Sequence, residues 1–379
     1  MQSQIPPHAR PMERANLKRK LESGKNIQMP APRRIGKTWT INKLAEDMRN
    51  AGWLIVELDV QGISDPDEFS KQLCRKIQSK LPLQDSAWTS FKKRVENLAS
   101  RDWNGKPLDA LGSLSPADFL DALIAALSKQ EKKAAIFVDE IAYFVLELAE
   151  AKKKVAKNFF YELRRIQSEH KDVRWLYTGS IGLDAVAERY GLTGAFVDFQ
   201  RFVLEPFTEE EAHSFICDAE TQKTLTCPFC ADKEALDYMF REIGWLAPYY
   251  LELVGNEVKP SGDKKENARQ ASKSDIEAAL ERLLKPDRKG DFAIWREHID
   301  KNLPKPDKKI AVSILNALCQ APDGEEIDTL IASNDPQSLK KVKSVLDVLQ
   351  NDGLVHKVGD RFRFRSGLVR RYWKEHEAE

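Results

Sequence analysis

The sequence predicts an α/β fold with a mostly parallel sheet, followed by an all-helical stretch and a small C-terminal module of helices and a hairpin. Three observations predict it. Short, continuously apolar runs (Trp53–Asp59, Ala134–Asp139 and Val173–Thr178) alternate with helical patterns up to about residue 206, as in βαβ units with right-handed crossovers. Their unbroken apolar character suits strands covered on both faces. Residues Ala31–Thr38 read A-P-R-R-I-G-K-T, follow the apolar stretch Ile27–Met29 and open a helical pattern. That is a P-loop with alanine at the first glycine position.

Size and composition bound what else is possible. At 379 residues two or three domains are expected, and 42% hydrophobic with 31% charged residues is a globular balance. Formal net charge is +1, from 60 basic and 59 acidic residues, so overall charge points to no partner. Basic residues nonetheless bunch near the C-terminus. There is no apolar run of about 18 residues and no secretory signal pattern, and the five cysteines look like thiols rather than a disulfide framework. The expected compartment is cytoplasmic.

In chain order, residues 1–12 read as a mobile lead rich in proline, and Glu13–Glu22 as a basic helix stopped by Gly24. Asn26–Met29 is a short strand, Thr38–Ala51 the helix after the loop, and Pro66–Leu81 a helix with Leu73, Ile77 and Leu81 on one face. Pro82–Leu114, with Trp88, Phe91, Trp103 and a turn at Asn104-Gly105, reads as an insertion packed on the sheet. Ser115 caps a helix that starts at Pro116 and runs to Lys129. Lys157–His170 is helical and Phe202–Leu204 a last short strand. From Thr208, which opens a capping box with Glu211, only helices are expected: Ala235–Ile243, Pro248–Val258 and Asp275–Leu284, with Lys259–Lys273 a surface loop or hinge. Lys308–Cys319, Ile327–Ala332 and Pro336–Asn351 read as helices, then Leu354–Val358 and Arg361–Arg365 as a hairpin across Gly359-Asp360. Three helices and a hairpin is the winged-helix plan. The resulting domains are a core over 13–206 with its insertion at 82–114, a helical lid over 207–285, a linker over 286–307 and a winged helix over 308–379.

The P-loop pattern carries a phosphate site. Backbone N–H groups of such a loop curl around phosphate, and the following helix points its positive N-terminus at it. Ala31, Pro32, Arg33, Arg34, Ile35, Gly36, Lys37, Thr38 and Trp39 are therefore the expected nucleotide-binding segment. Lys37 would reach the outer phosphates, and the Thr38 hydroxyl would hold Mg²⁺. The acidic strand end Asp139-Glu140 supplies the other half, Asp139 as the Mg²⁺ carboxylate and Glu140 to orient or deprotonate water.

With these pieces placed, the chain resembles the prokaryotic archaeal-type P-loop ATPases, near the STAND signalling ATPases and the origin-recognition branch of AAA+ proteins. The resemblance rests on Arg14, Leu17, Leu21 and Gly24–Ile27 leading into Pro32–Thr38 (P-R-R-I-G-K-T), on Val56–Asp59, on Phe137–Ile141 (F-V-D-E-I) and on Thr178–Leu183 (T-G-S-I-G-L). It continues through Leu204–Ala212, Gly244–Leu251 (G-W-L-A-P-Y-Y-L) and Phe362–Trp373. It implies a RecA/AAA+-like nucleotide domain, a helical lid and a C-terminal winged helix. It also implies ATP and Mg²⁺ as cofactors, ATP hydrolysis used as a conformational switch, and a homo-oligomer formed on ATP binding. Ser180, at a strand end, corresponds to the polar sensor of γ-phosphate or attacking water; capping the next helix is the alternative. Pro248 corresponds to the proline beside the adenosine, while Gly244 is spaced differently from the family's glycine. Arg164, Arg165 and Arg201 are candidates for an arginine finger acting across subunits.

Two further features remain open. Cys227-Pro-Phe-Cys230 has no second cysteine pair and reads as two ordinary thiols, or as zinc ligands only if His213 and Cys217 completed the set. Lys340, Lys341 and Lys343 at the start of the third C-terminal helix, with Lys357, Arg361, Arg363 and Arg365 on the hairpin, form a candidate surface for duplex DNA. Arg370, Arg371 and Lys374 extend it. The alternative is a signalling or defence regulator whose winged helix docks a separate protein effector. No membrane association is expected.

Overall fold

Five short strands form one parallel sheet. They are β1 (Asn26–Pro30), β2 (Leu54–Asp59), β3 (Ala134–Asp139), β4 (Val173–Gly179) and β5 (Phe199–Arg201), in the order β2-β3-β4-β1-β5. The structure is a computed structural model describing residues 6–81, 86–99, 105–180, 182–265, 268–303, 305–332 and 339–378. The chain divides into two compact units, one of Met12–Ala31 with Thr38–Leu204, the other of Met1–Pro11, Pro32–Lys37 and Glu205–Glu379.

The first unit is the sheet with its helices. In β3 all residues but the last are buried, as the unbroken run A-A-I-F-V implies. The long helix Ile141–Glu169 packs Phe144, Phe159 and Phe160 against one another and Phe69 at centroid distances of 5.3–5.9 Å. It begins directly after Glu140, earlier than the expected start at Lys157, and is kinked at Lys152 (φ −149°, ψ 69°). The expected insertion contains the helix Ser86–Ala99, whose Trp88, Phe91 and Val95 are buried at helical spacing. Phe91 meets Phe119 edge-on at 5.7 Å, so this helix packs on the helix Pro116–Ser128. Trp103, Asn104 and residues 82–85 lie outside the described residues. The last strand falls at Phe199–Arg201 rather than Phe202–Leu204, though the Phe202 N–H still donates to the Gln28 carbonyl at 2.8 Å.

The second unit differs more from expectation. The N-terminal lead forms a 3₁₀ turn at Pro7–Ala9, ahead of the helix Pro11–Glu22 that carries the chain into the first unit; residues 1–5 lie outside the description. What anchors it is Arg10, buried and left-handed (φ 51°), which donates to the carbonyls of Glu205 (2.9 Å) and Ile35 (3.1 Å) and lies over Phe207. Beyond Thr208 the chain is not purely helical. Phe229–Ala231, Lys264–Lys265 and Ala268–Ala271 form a small sheet within the expected lid. The expected linker holds a helix, Lys289–Asn302, with Phe292, Trp295 and Ile299 buried. C-terminally, helices Lys305–Gln320, Ile327–Ala332 and Leu339–Asn351 accompany a hairpin, Val355–Val358 with Arg361–Phe364. A third strand, Glu325–Glu326, pairs with the hairpin, and a last helix spans Gly367–His376. Residues 333–338, which include the expected start of the third helix, lie outside the description. No helix among the described residues is long and apolar enough to cross a membrane.

Candidate nucleotide site

Parallel register brings the chemistry-bearing ends of the strands to one edge of the sheet. Asp59 pairs with Asp139 across β2 and β3, and Met29 and Pro30 pair with Thr178 and Gly179 across β1 and β4. Ala31 continues the ladder, its N–H donating to the Gly179 carbonyl at 3.1 Å. The P-loop therefore leaves the sheet beside the strand that ends in Ser180, and ligands of open parallel sheets bind at such strand ends.

At this edge two carboxylates are held by the neighbouring strand. Asp139 Oδ1 accepts from the Thr178 hydroxyl and from the Glu140 N–H at 2.9 Å. Glu140 Oε2 accepts from both the backbone N–H and the hydroxyl of Ser180, each at 3.0 Å. Ser180 is buried and touches the carboxylate expected to handle water, which joins the two residues in one arrangement. Thr178, not singled out in the sequence, is the residue that orients Asp139; its place two residues before Ser180 on the same strand was the available signal. Glu140 sits in the left-handed region (φ 57°, ψ 31°), a conformation costing a non-glycine residue about 1–2 kcal/mol. Such strain concentrates where a side chain must be aimed.

The loop itself has the conformations a phosphate cradle needs. Gly36 has φ 86°, and Lys37 begins the helix Lys37–Asn50. Ala31 is buried and is not among the positive-φ residues, so its methyl group meets no conformational penalty. Ile35 and Lys37 are buried, Pro32, Arg33, Arg34 and Gly36 half-buried, and Thr38 and Trp39 exposed. A threonine hydroxyl and an aspartate carboxylate are hard oxygen donors, the chemistry Mg²⁺ prefers.

Within the second unit the loop is gripped by its surroundings. Arg34, left-handed at φ 75°, lays its guanidinium 3.7 Å from the centre of the Tyr249 ring, and the Tyr249 N–H reaches its carbonyl at 3.4 Å. Pro248, first residue of the helix Pro248–Glu257, lies 3.5 Å from where a Gly36 Cβ would stand. Gly244 instead closes the helix Lys233–Ile243 with φ 73° against the backbone of Arg365 and Gly367. Pro32 meets the turn after the third C-terminal helix: a Cβ on Gly353 (φ 86°) would fall 2.6 Å from Pro32 Cβ and 3.0 Å from the Trp245 ring. Gly353→Ala is therefore expected to destabilise this unit by at least about 1 kcal/mol, read as a lower thermal midpoint. An unchanged midpoint would mean that the turn is loosely seated.

The other candidates sort as follows. Arg164 pairs with Asp198 (2.6 Å), Arg165 with Glu162 and Glu169 (2.9 and 2.8 Å), and Arg201 with Asp184 (2.6 Å), so each possible arginine finger is engaged within its own chain. Cys227 and Cys230 are free thiols; among the described residues the one potential metal-ligand cluster is Asp121, Glu169 and His170, already tied to Arg94 through Asp121. Lys340, Lys341 and Lys343 are exposed and in no ion pair among the described residues, whereas Lys357 faces Asp360 (4.0 Å) and Arg361 faces Glu326 (3.6 Å). Arg363 and Arg365, expected on the DNA-facing surface, are half-buried and hydrogen-bonded within the C-terminal module. Arg365 turns inward to the carbonyls of Val355 on the hairpin and of Gln350 in the last turn of the third C-terminal helix. Arg363 donates to His356 across the hairpin at 3.2 Å.

Residues 22–186 match the AAA domain family. A search of curated proteins finds no match. Among solved structures the chain is similar to a Walker-type ATPase of Pyrococcus abyssi, at 14% identity over 96% of this chain and 95% of that one, with a TM-score of 0.62. It is also similar to the ORC2 protein of Aeropyrum pernix, solved as ADPNP–ADP complexes, at 14% identity over 98% and 95% of the two chains, with a TM-score of 0.54. At that identity these likenesses establish the fold, a parallel-sheet P-loop architecture of the AAA+ kind.

Proposed function

We propose that the chain binds ATP with Mg²⁺ at the P-loop and hydrolyses it slowly as a conformational switch, whose output is association with duplex DNA. The observation that carries the ATP site is the pairing of Asp139 with Thr178 and of Glu140 with Ser180 at the sheet edge from which the P-loop departs. Lys37 would neutralise the outer phosphates and the loop N–H groups would cradle them. Thr38 and Asp139 would hold Mg²⁺, which supplies charge neutralisation at the phosphates. Glu140 would take the proton of the attacking water, and Ser180 would hold its carboxylate until then. Pro248 and Tyr249 would border the base. That a protein of similar fold was solved with ADPNP and ADP supports this reading.

The route from nucleotide to output would run inside the second unit, from Arg34 through Tyr249 and from Pro32 to Gly353 and Trp245. Two arrangements of such packed contacts are what a switch requires. The C-terminal helices and three-stranded sheet suit a winged helix, and Lys340, Lys341 and Lys343 would meet phosphates at the start of its third helix. ATP-driven self-association would place several such modules on one duplex.

Replacing Lys340, Lys341 and Lys343 together by Ala is expected to weaken binding to all duplex sequences alike. It should also flatten the salt dependence by about one unit of slope for each phosphate that is no longer neutralised. The measurement is duplex affinity at several salt concentrations, with and without ATP. No binding at low salt would leave a separate protein effector as the better account of the output.

A further inference from the structure

Away from the P-loop, the second unit contains a cleft of ≈ 690 Å³ onto which five arginines converge: Arg241, Arg363, Arg365, Arg370 and Arg371. Glu205 and Glu242 share the lining, which leaves a formal excess of three positive charges. The volume lies within the range of small-molecule sites.

The destinations of the guanidinium groups show where this charge is left uncompensated. Arg371 is held by Glu281 and faces Glu242 at 3.9 Å. Arg241 reaches Glu242 only at 3.8 Å, and its side chain is 68% exposed. Arg363, Arg365 and Arg370 enter no ion pair among the described residues: they donate to the His356 ring, to the Val355 and Gln350 carbonyls, and to the Cys319 carbonyl at 3.0 Å. Guanidinium groups do not lose their protons in proteins, so three full charges are hydrogen-bonded only to neutral acceptors, with Glu205 acting on Arg365 through space.

Two hydrogen-bond donors in the same lining are orphaned. Arginine only donates, so His356 Nε2 must accept from Arg363, and the proton of the neutral ring stands on Nδ1. That Nδ1 is buried without a partner among the described residues. Burial, then Arg363 and Arg365, hold the His356 pKa down to about 4, so the ring is neutral near pH 7. Trp245 is 3% exposed, lies beside Arg365 at 5.8 Å, and its indole N–H likewise has no partner among the described residues. Cations outside ion pairs line one cleft, and two residues of that lining also carry a buried donor with no acceptor.

We propose that this cleft is a second anion site, separate from the P-loop, that takes a small ligand carrying two or more phosphate groups. Guanidinium forks match phosphate oxygens bidentately, and several forks around one cleft fit a compact polyanion better than an extended backbone.

The test is calorimetric titration of the full chain with pyrophosphate, using Lys37→Ala throughout so that the P-loop is silenced and its own assignment cannot affect the result. One pyrophosphate per chain is expected. Arg363→Gln and Arg370→Gln should each weaken binding at least tenfold. Arg241→Glu, at an exposed position where folding is not at risk, should weaken it as well. Failure of Lys37→Ala to bind pyrophosphate, or unchanged affinity in all three variants, would overturn the proposal. So would displacement of bound pyrophosphate by a short duplex, which would reassign the cleft to nucleic-acid phosphates.

Discussion

Lys37→Ala is expected to weaken ATP binding by roughly a hundredfold or more while leaving the fold intact. Lys37 is the first residue of its helix and is only 8% exposed, so its ammonium would act on a bound phosphate with little water between them. Removing one partner of a desolvated charge pair costs about 2–5 kcal/mol, and each 1.4 kcal/mol is a factor of ten. The change should not disturb the loop backbone, since the demanding conformations belong to Arg34 and Gly36, both left untouched. The measurement is a nucleotide titration, with circular dichroism to verify folding. Unchanged affinity in a folded variant would remove the P-loop from the binding site and with it the proposed switch.

The parts of this site that the sequence made legible are those where one local rule dominates. The sheet strands could be read because burial on both faces demands an unbroken apolar run, and Ala134–Asp139 ends where the structure ends it. The capping box at Thr208 and Glu211 forms as its spacing implies. Arg10 was not legible: an arginine after two prolines and a histidine looks like a solvated lead, and only the fold brings the Ile35 and Glu205 carbonyls to it. The helix Lys289–Asn302 did leave a signal, since Phe292, Trp295 and Ile299 stand at i, i+3 and i+7, but the polar, proline-flanked surroundings masked it. The strands at Phe229–Ala231 and Lys264–Lys265 are too short to show an alternation. Basic residues in the C-terminal module were countable, yet a count says nothing about acceptors. Lys340, Lys341 and Lys343 face outward while Arg365 serves the backbone of its own hairpin.

Glu140→Gln is expected to bind ATP normally and to hydrolyse it at least about a hundredfold more slowly, within the range for losing a general base. The substitution is nearly isosteric, and the amide oxygen can accept the two bonds that Ser180 donates to Oε2, so neither the strand end nor the left-handed turn has cause to move. Asp139 keeps its Thr178 partner, so the proposed Mg²⁺ carboxylate is unaffected. What disappears is the ability to take a proton from water. Ser180→Ala is the informative companion, because it removes one of the two donors that Ser180 offers Glu140 but leaves the carboxylate itself. If Ser180 only orients Glu140, its removal should cost far less turnover than Glu140→Gln, and combining the two should add little. Phosphate release under saturating ATP, with nucleotide affinity measured alongside, separates binding from chemistry. Full turnover in Glu140→Gln would place the base elsewhere and leave the Glu140–Ser180 pair as a structural contact between two strand ends.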